Sequence, residues 1–214
     1  MKKNIAVLFI LFFSVNCFSQ VDLRAGMGIQ FQSTPSLTDY INFYHASSSE
    51  QQGTYGTSVN FSLEGGYWFS SNREVSLEIA YLINSYNFNN EYGYYNLSYN
   101  IIMPSVLYYF IVDGDGYNFK FGGGAGIRFV NAEEQIITVI PVKYSSTGFG
   151  FVLRADGNTL LGGNFYANIG GDIRYDLNGE PKNNGRPLTN RIVGENVNFN
   201  SFSFGLRLGI TYKF

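Results

Sequence analysis

The sequence predicts an all-β chain: an eight-stranded antiparallel up-and-down transmembrane β-barrel. Three observations predict it. Alternation of apolar with small or polar residues recurs in eight segments, the segments are joined by connections that alternate in length, and outward aromatics gather at the segment ends. Period two gives a strand two unlike faces. A barrel in an outer membrane turns the apolar face to lipid and the polar face inward. Aromatics are 18% of the chain and charged residues 14%, against a usual charged share of about 25%. Mean hydropathy is near zero, so this is no helical membrane protein.

The N-terminus reads as an address. Lys2 and Lys3 precede the apolar run Ile5 to Phe13, and small or polar residues follow. The run is too short for a spanning helix, which needs about 20 residues. A secretory signal peptide over residues 1–19 is expected, cut after Ser19, leaving residues 20–214 as one barrel domain. Cys17, the only cysteine, leaves with it, so no disulfide or thiol chemistry is expected. A lipoprotein acylated at Cys17 is the rival, but Ser14-Val15-Asn16 is a poor match to such a site. The formal charge of −2 becomes more negative without Lys2 and Lys3. No basic block remains, which argues against nucleic acid as a partner.

The first strand is expected over Val21–Phe31, with Leu23, Ala25, Met27, Ile29 and Phe31 outward, and Asp22, Arg24 and Gln30 inward. A long polar loop, 32–56, follows. The second strand, Thr57–Phe69, turns Val59, Phe61, Leu63, Tyr67 and Phe69 outward, and Asn60, Glu64 and Trp68 inward. After a tight turn at 70–73, the third, Val75–Ser85, shows Val75, Leu77, Ile79, Tyr81 and Ile83 outward, with Glu78 and Asn84 inward. A shorter loop, 86–94, leads to the fourth, Tyr95–Phe110. Its expected outer face is Leu97, Tyr99, Ile101, Met103, Leu107 and Tyr109, and Pro104 argues for a bulge or an irregular pairing. Asp113-Gly114-Asp115-Gly116 carries the residues of a hairpin turn. The fifth, Asn118–Asn131, has Phe119, Phe121, Ala125, Ile127 and Phe129 outward, with Lys120, Arg128 and glycines inward. A medium loop passes Glu133, Glu134 and Pro141, and its part Ile136–Ile140 can extend a strand above the membrane. The sixth, Thr147–Asp156, shows Phe149, Phe151 and Leu153 outward and Arg154 inward. After a turn at 157–163, the seventh, Asn164–Asp176, puts Phe165, Ala167, Ile169, Ile173 and Tyr175 outward, and Asn168, Asp172 and Arg174 inward. A long polar loop, 177–196, precedes the last strand.

An even strand number with short turns on one side and longer loops on the other is the bacterial barrel pattern, and it places both termini in the periplasm. The outward aromatics would then form two girdles. The periplasmic one comprises Phe69, Tyr109, Phe119, Phe165, Tyr212 and Phe214, and the outer one Phe31, Tyr81, Tyr99, Phe129, Phe149, Tyr175 and Phe202. A soluble lipocalin-like barrel, the remaining rival, would need its apolar residues inside.

Tyr99-Asn100-Ile101-Ile102-Met103-Pro104, Tyr108-Tyr109-Phe110, and Phe119-Lys120-Phe121 running into Gly122-Gly123-Gly124-Ala125-Gly126 resemble the outer-membrane β-barrel domain family of Bacteroidota. Phe18-Ser19-Gln20 and the terminal Tyr212-Lys213-Phe214 fit it too. More distantly, the chain is similar to OmpX/OmpA-type eight-stranded barrels. The resemblance is one of pattern over nearly the whole mature chain. It implies a place in the outer membrane of a Gram-negative bacterium, with membrane lipid and the barrel-assembly machinery as partners, and it implies no shared reaction.

Parity directs Arg24, Glu64, Glu78, Lys120, Arg128, Arg154, Asp172, Arg174 and Arg207 into the lumen. An eight-stranded barrel is just wide enough to be filled by its own side chains, and both signs are present. A salt-bridged plug is therefore expected, with a narrow ion path or small porin-like pore as the alternative. Phe204, Leu206, Leu208, Ile210, Tyr212 and Phe214 form the C-terminal assembly strand, which closes against the first strand near Val21–Leu23. His45, the only histidine, lies near Ser47–Ser49 and Glu50. A lipid-modifying enzyme would use such a His with Ser, but a serine nucleophile needs base and acid in fixed geometry, so a solvated loop histidine is expected and no catalytic residue is assigned. The carboxylates at 113 and 115 lack the rest of a calcium loop. The glycines at 122–126 do not match a nucleotide fingerprint, and one histidine with no mature cysteine disfavours a metal site. No cofactor is expected. The loop tyrosines Tyr40, Tyr44, Tyr55, Tyr92, Tyr94 and Tyr95 suit contact with a partner whose identity the sequence leaves open, and equally suit mere solvated decoration, so a non-enzymatic barrel that stabilises the membrane or binds a partner through its outer loops is expected.

Overall fold

The computed structural model describes residues 20–47, 49–90, 93–136, 140–190 and 193–214. The expected signal peptide, Cys17 and Tyr92 lie outside the described residues. Eight long strands follow the alternation: β1 (Val21–Ser33), β2 (Gly56–Ser70), β3 (Arg73–Asn90), β4 (Gly93–Gly114), β5 (Tyr117–Ile136), β6 (Val142–Gly162), β7 (Phe165–Leu177) and β12 (Ser201–Lys213). Each pairs antiparallel with its neighbours in chain order, and β1 pairs with β12 to close the ring. Short strands β8 (Lys182–Asn183), β9 (Arg186–Pro187), β10 (Thr189–Asn190) and β11 (Glu195–Asn196) lie in the last loop, and helix α1 (Pro35–Tyr44) lies in the first. A closed ring leaves no strand edge unpaired, which is the condition for crossing a bilayer with strands. The seam forms where the C-terminal strand was expected to close: Asp22 pairs with Lys213, and the Phe214 amide donates to the Val21 carbonyl at 3.0 Å.

The turns at the chain-terminal end are tight. Gly116 (φ +78°) and Gly163 (φ +56°) occupy the left-handed region that their hairpins require. The turn itself is Asp115-Gly116, because Asp113 and Gly114 end β4, paired to Asn118 and Tyr117.

The side-chain faces invert at one level of the barrel. Below it, the outward residues are apolar, as in Val75, Leu77, Ile79, Tyr81 and Ile83 of β3, while Glu74, Ser76 and Glu78 are buried inside. Above it, the same outward face of β3 continues as Ser85, Asn87 and Asn89, and the inward face becomes Tyr86 and Phe88, both buried. The other tall strands switch at the same height: Asn100 pairs with Asn131, and Thr147 pairs with Phe129. Below this line the protein is a transmembrane barrel. Above it, β3 to β6 stand up as a wall with an ordinary apolar core on their inner side.

The switch corrects the fourth expected strand. Leu97, Tyr99, Ile101, Met103, Leu107 and Tyr109 point inward and are almost wholly buried, while Ile102, Val106, Phe110 and Val112 are exposed outside. The strand is apolar on both faces, so alternation alone could not orient it; its inner side faces an apolar core and its outer side, from Ile102 down, faces lipid. Tyr99 and Tyr109 therefore leave the two expected girdles. The other girdle aromatics lie on the outer face, Tyr212 partly shielded by Phe165 and Phe214. Pro104 makes the pairing irregular without a bulge: Met103 and Pro104 have no partners on β5, and the ladder resumes in the same register from Ile102 with Phe129 to Ser105 with Gly126. The expected loop at 86–94 is mostly strand: β3 runs to Asn90 and β4 starts at Gly93, and the two residues pair. The expected turn at 157–163 is mostly strand, because β6 runs to Gly162.

Helix α1 replaces part of the expected polar loop. Pro35 stands in its first turn, where proline's missing N–H and fixed φ cost nothing. Leu37, Tyr40, Ile41 and Tyr44 recur at the spacing of one helical face. That face packs onto Leu82, Leu97, Tyr99, Ile101 and Val130, with Leu188, Val197 and Phe199 from the last loop completing the cluster. The helix and the last loop together cover the wall where β1, β2, β7 and β12 have already ended.

Candidate functional site

The interior has three tiers. At the level of the short turns, Asn158 accepts from Asn168 and Thr211 and donates to Asn118, each at 2.9 Å. Trp68 sits half-buried nearby, its indole N–H donating to Asp22 at 2.9 Å, with Lys120 Nζ 4.9 Å and Lys213 Nζ 4.8 Å from its ring centroid.

The middle tier is ionic. All nine charged residues that parity directed inward are buried there. Arg154 lies 2.9 Å from Glu64, 2.5 Å from Glu78 and 3.3 Å from Asp172. Arg174 pairs with Asp172 (2.9 Å) and Glu78 (3.2 Å), and Arg207 with Asp156 (2.7 Å). Arg24 bridges Glu64 and Glu74, and Lys120 joins Glu74 to Asp22. Arg128 pairs separately with Asp176 at 2.5 Å. Gly150 makes that pair fit, since a Cβ there would overlap both side chains. Asp22, expected inward, joins the cluster, and so do the carboxylates Glu74, Asp156 and Asp176, which were not expected in it. Their signal was present: each stands two residues from an inward charge or hydroxyl on its own strand.

Burying these charges is costly, and their pairing offsets the cost only because almost every group has several partners. Lys120, Arg128, Arg154 and Arg174 are 0–4% exposed, so their side chains are packed into the lumen at this level.

The upper tier is the apolar plug, and above it lies a cup. Glu134 on β5 is 6% exposed. It accepts hydrogen bonds from Tyr40 of α1 (2.7 Å), Tyr95 of β4 (3.1 Å) and Tyr144 of β6 (3.4 Å). Burial, then Glu134 beside it, pushes the Tyr40 hydroxyl well above the usual phenol range. His45 at the end of α1 stacks flat on Tyr95, with ring centroids 3.5 Å apart and planes within 7°. It is therefore not the solvated loop histidine that the sequence led one to expect. Burial lowers its pKa from 6.5 to about 4, so the ring is neutral at pH 7. Tyr44 donates to Asn190 at 3.1 Å. A cavity of about 760 Å³ opens here, lined by Tyr40, Tyr44, His45, Glu134, Tyr144 and Arg186 among others. Of the loop tyrosines singled out from sequence, Tyr40, Tyr44 and Tyr95 meet in this cup. Tyr55 packs instead on Phe204, and Tyr94 lies exposed on the outer face of β4. Glu134 falls in a segment that reads as loop, although Arg128, Val130, Ala132 and Glu134 share one parity.

No family model matches this chain, and no curated protein matches it significantly. Solved structures match its fold. A major outer membrane protein from Thermus thermophilus aligns with a TM-score of 0.53 at 13% identity, over 91% of this chain and 99% of that one. Ail, the attachment invasion locus protein of Yersinia pestis, aligns with a TM-score of 0.51 at 12% identity, again over 91% of this chain and 99% of that one. The fold is that of the bacterial outer-membrane eight-stranded β-barrels.

Proposed function

We propose that the chain is a non-enzymatic, non-conducting barrel of a bacterial outer membrane, with both termini periplasmic, that binds a ligand or partner through the cup at its loop end. The filled interior carries this reading. A pore needs a continuous polar path, and here a charged tier packed to near-zero exposure lies beneath an apolar plug. The apolar belt, its aromatic girdles and the likeness to outer-membrane barrels support the address, and the sequence pattern supports an origin in Bacteroidota. The setting of His45 supports a binding rather than a catalytic role: it stacks on a tyrosine, while Ser47 donates to Glu50 at 2.9 Å on the exposed side of the loop. Membrane lipid and the barrel-assembly machinery remain the partners implied by the terminal strand.

Planar-bilayer recording tests the reading. Protein shown to be folded, by a gel migration that changes on boiling, should give no unitary conductance steps. Regular steps from such a sample would overturn it.

A further inference from the structure

The cup has the chemistry of a site for an organic cation. Its floor holds one carboxylate, Glu134, nearly out of reach of water. Every other buried carboxylate of the barrel interior lies within ion-pair distance of an Arg or Lys. Glu134 has no cationic partner among the described residues; its bonds come from three neutral phenols. Phenol donors satisfy its lone pairs but leave its charge uncompensated in a poorly hydrated place. The walls are ring faces and edges. Tyr40 and Tyr44 have centroids 5.2 Å apart, Tyr40 and His45 are 5.5 Å apart, and Tyr144 on β6 also lines the cavity. Aromatic faces attract cations, most strongly when the site is dry. The volume, about 760 Å³, falls in the range of small-molecule pockets.

Other ligand classes fit less well. An anion would approach the Glu134 carboxylate at the floor, with only the exposed Arg186 at the rim to attract it. A purely apolar guest would cover a carboxylate that it cannot pair. Among the described residues no group of His, Cys, Asp and Glu is arranged to hold a metal ion.

We propose that the cup binds a small molecule bearing an ammonium group, primary or quaternary, seated against Glu134 among the rings of Tyr40, Tyr44 and Tyr144. The proposal rests on the reading that the loop end of this barrel is its binding end. The single histidine makes the test direct, because one imidazole signal in the spectrum of the protein reports on the cup.

Choline and ethanolamine would each be titrated into the folded barrel in detergent micelles, following the His45 imidazole resonances. Acetate and neopentyl alcohol, an uncharged analogue of the quaternary head, would serve as controls. A saturable shift with at least one amine, absent with both controls, is expected. Whichever amine binds shows whether the cage favours a primary or a quaternary head. Glu134→Gln should weaken that binding by about tenfold or more, and Tyr144→Leu should weaken it too. Glu134→Gln must keep the boiling-dependent gel migration; if it does not, Tyr144→Leu in a barrel that keeps it decides alone. No saturable shift with either amine would overturn the proposal. So would equal shifts with neopentyl alcohol, or binding that Glu134→Gln leaves unchanged. Each of these failures is separate from the appearance of bilayer conductance, which would instead sink the closed-barrel reading.

Discussion

An arginine placed on the outer face of β3 should be costly at one position and nearly free eight residues later. Ile79 and Asn87 share that face. Ile79 lies midway along the apolar stretch between the turn at Arg73 and the switch at Ser85, and it is 59% exposed. Six residues at about 3.4 Å each, tilted about 40° from the barrel axis, put Ser85 about 16 Å above Ile79. That is half of the roughly 30 Å hydrocarbon thickness, so Ile79 sits near the bilayer midplane and Asn87 stands in water. Arginine on a lipid face at the midplane costs about 2–4 kcal/mol, falling to about 0–1 near the interface. Ile79→Arg should therefore lose about 2–4 kcal/mol, and Asn87→Arg less than about 0.5 kcal/mol. The assay is reversible urea unfolding in lipid vesicles. It would be followed by the fluorescence of Trp68, the only tryptophan, which sits half-buried at the far mouth and away from both substitutions. Equal losses at the two sites, or a larger loss at Asn87, would show that the membrane boundary does not lie at Ser85.

Three further outcomes follow from the tiers. Arg154→Met takes one cationic partner from Glu64, Glu78 and Asp172 at once, and should cost about 3–5 kcal/mol in the same unfolding assay. Adding Glu78→Gln should return part of that loss, and strict additivity would argue against a coupled network. Ile41→Ala empties part of the plug above the membrane, at a local cost of about 2–5 kcal/mol. Faster amide exchange and proteolysis within α1, with boiling-dependent migration intact, is expected; loss of the whole barrel would refute the separation of the tiers. The His45 imidazole, with its pKa lowered from 6.5 to about 4, binds fewer protons in the closed cup than when released. The closed cup is thus fully stable above about pH 6.5 and loses stability as pH falls toward 4. A proton-NMR titration midpoint near 6.5 would show that His45 is not held in the cup.

The alternation carried the ring, its order and its closing strand, because a lipid-facing belt leaves a period-two trace that no other packing overwrites. Where two environments meet within one strand, that trace fails. In β4, Leu97 to Met103 answer to the apolar core on the inner side, while Ile102 to Val112 answer to lipid on the outer side. Both faces then read as apolar, and the orientation depends on which neighbour lies behind. Helix α1 was hidden for a related reason. Ten residues make no stable helix alone, so its existence depends on the distant wall of β3 to β5 that it covers. Leu37, Tyr40, Ile41 and Tyr44 did carry its period, inside a segment whose composition reads as loop. The carboxylates Glu74, Asp156 and Asp176 are legible by parity; they escape a sequence reading only because they fall near expected strand ends.

The inversion of faces also explains why the cup is where it is. Below the line, lipid outside forces charges to pair inside. Above it, water outside lets Asn87, Asn96 and Asn131 face out, and the inner side must then be apolar and covered. Four strands end at this line and four continue, so the wall cannot close on itself and must borrow α1 and the last loop as its other side. A core assembled from a wall and two loop segments packs less completely at its rim than a closed ring does. The cavity opens at that rim, between Tyr40 of the helix, Glu134 and Tyr144 of the wall, and Arg186 of the loop. A ligand held there would touch all three pieces at once. Ligand binding should therefore raise the amide protection of α1 and of the last loop together while leaving the strands below Ser85 unchanged. Protection of one segment alone would place the ligand elsewhere.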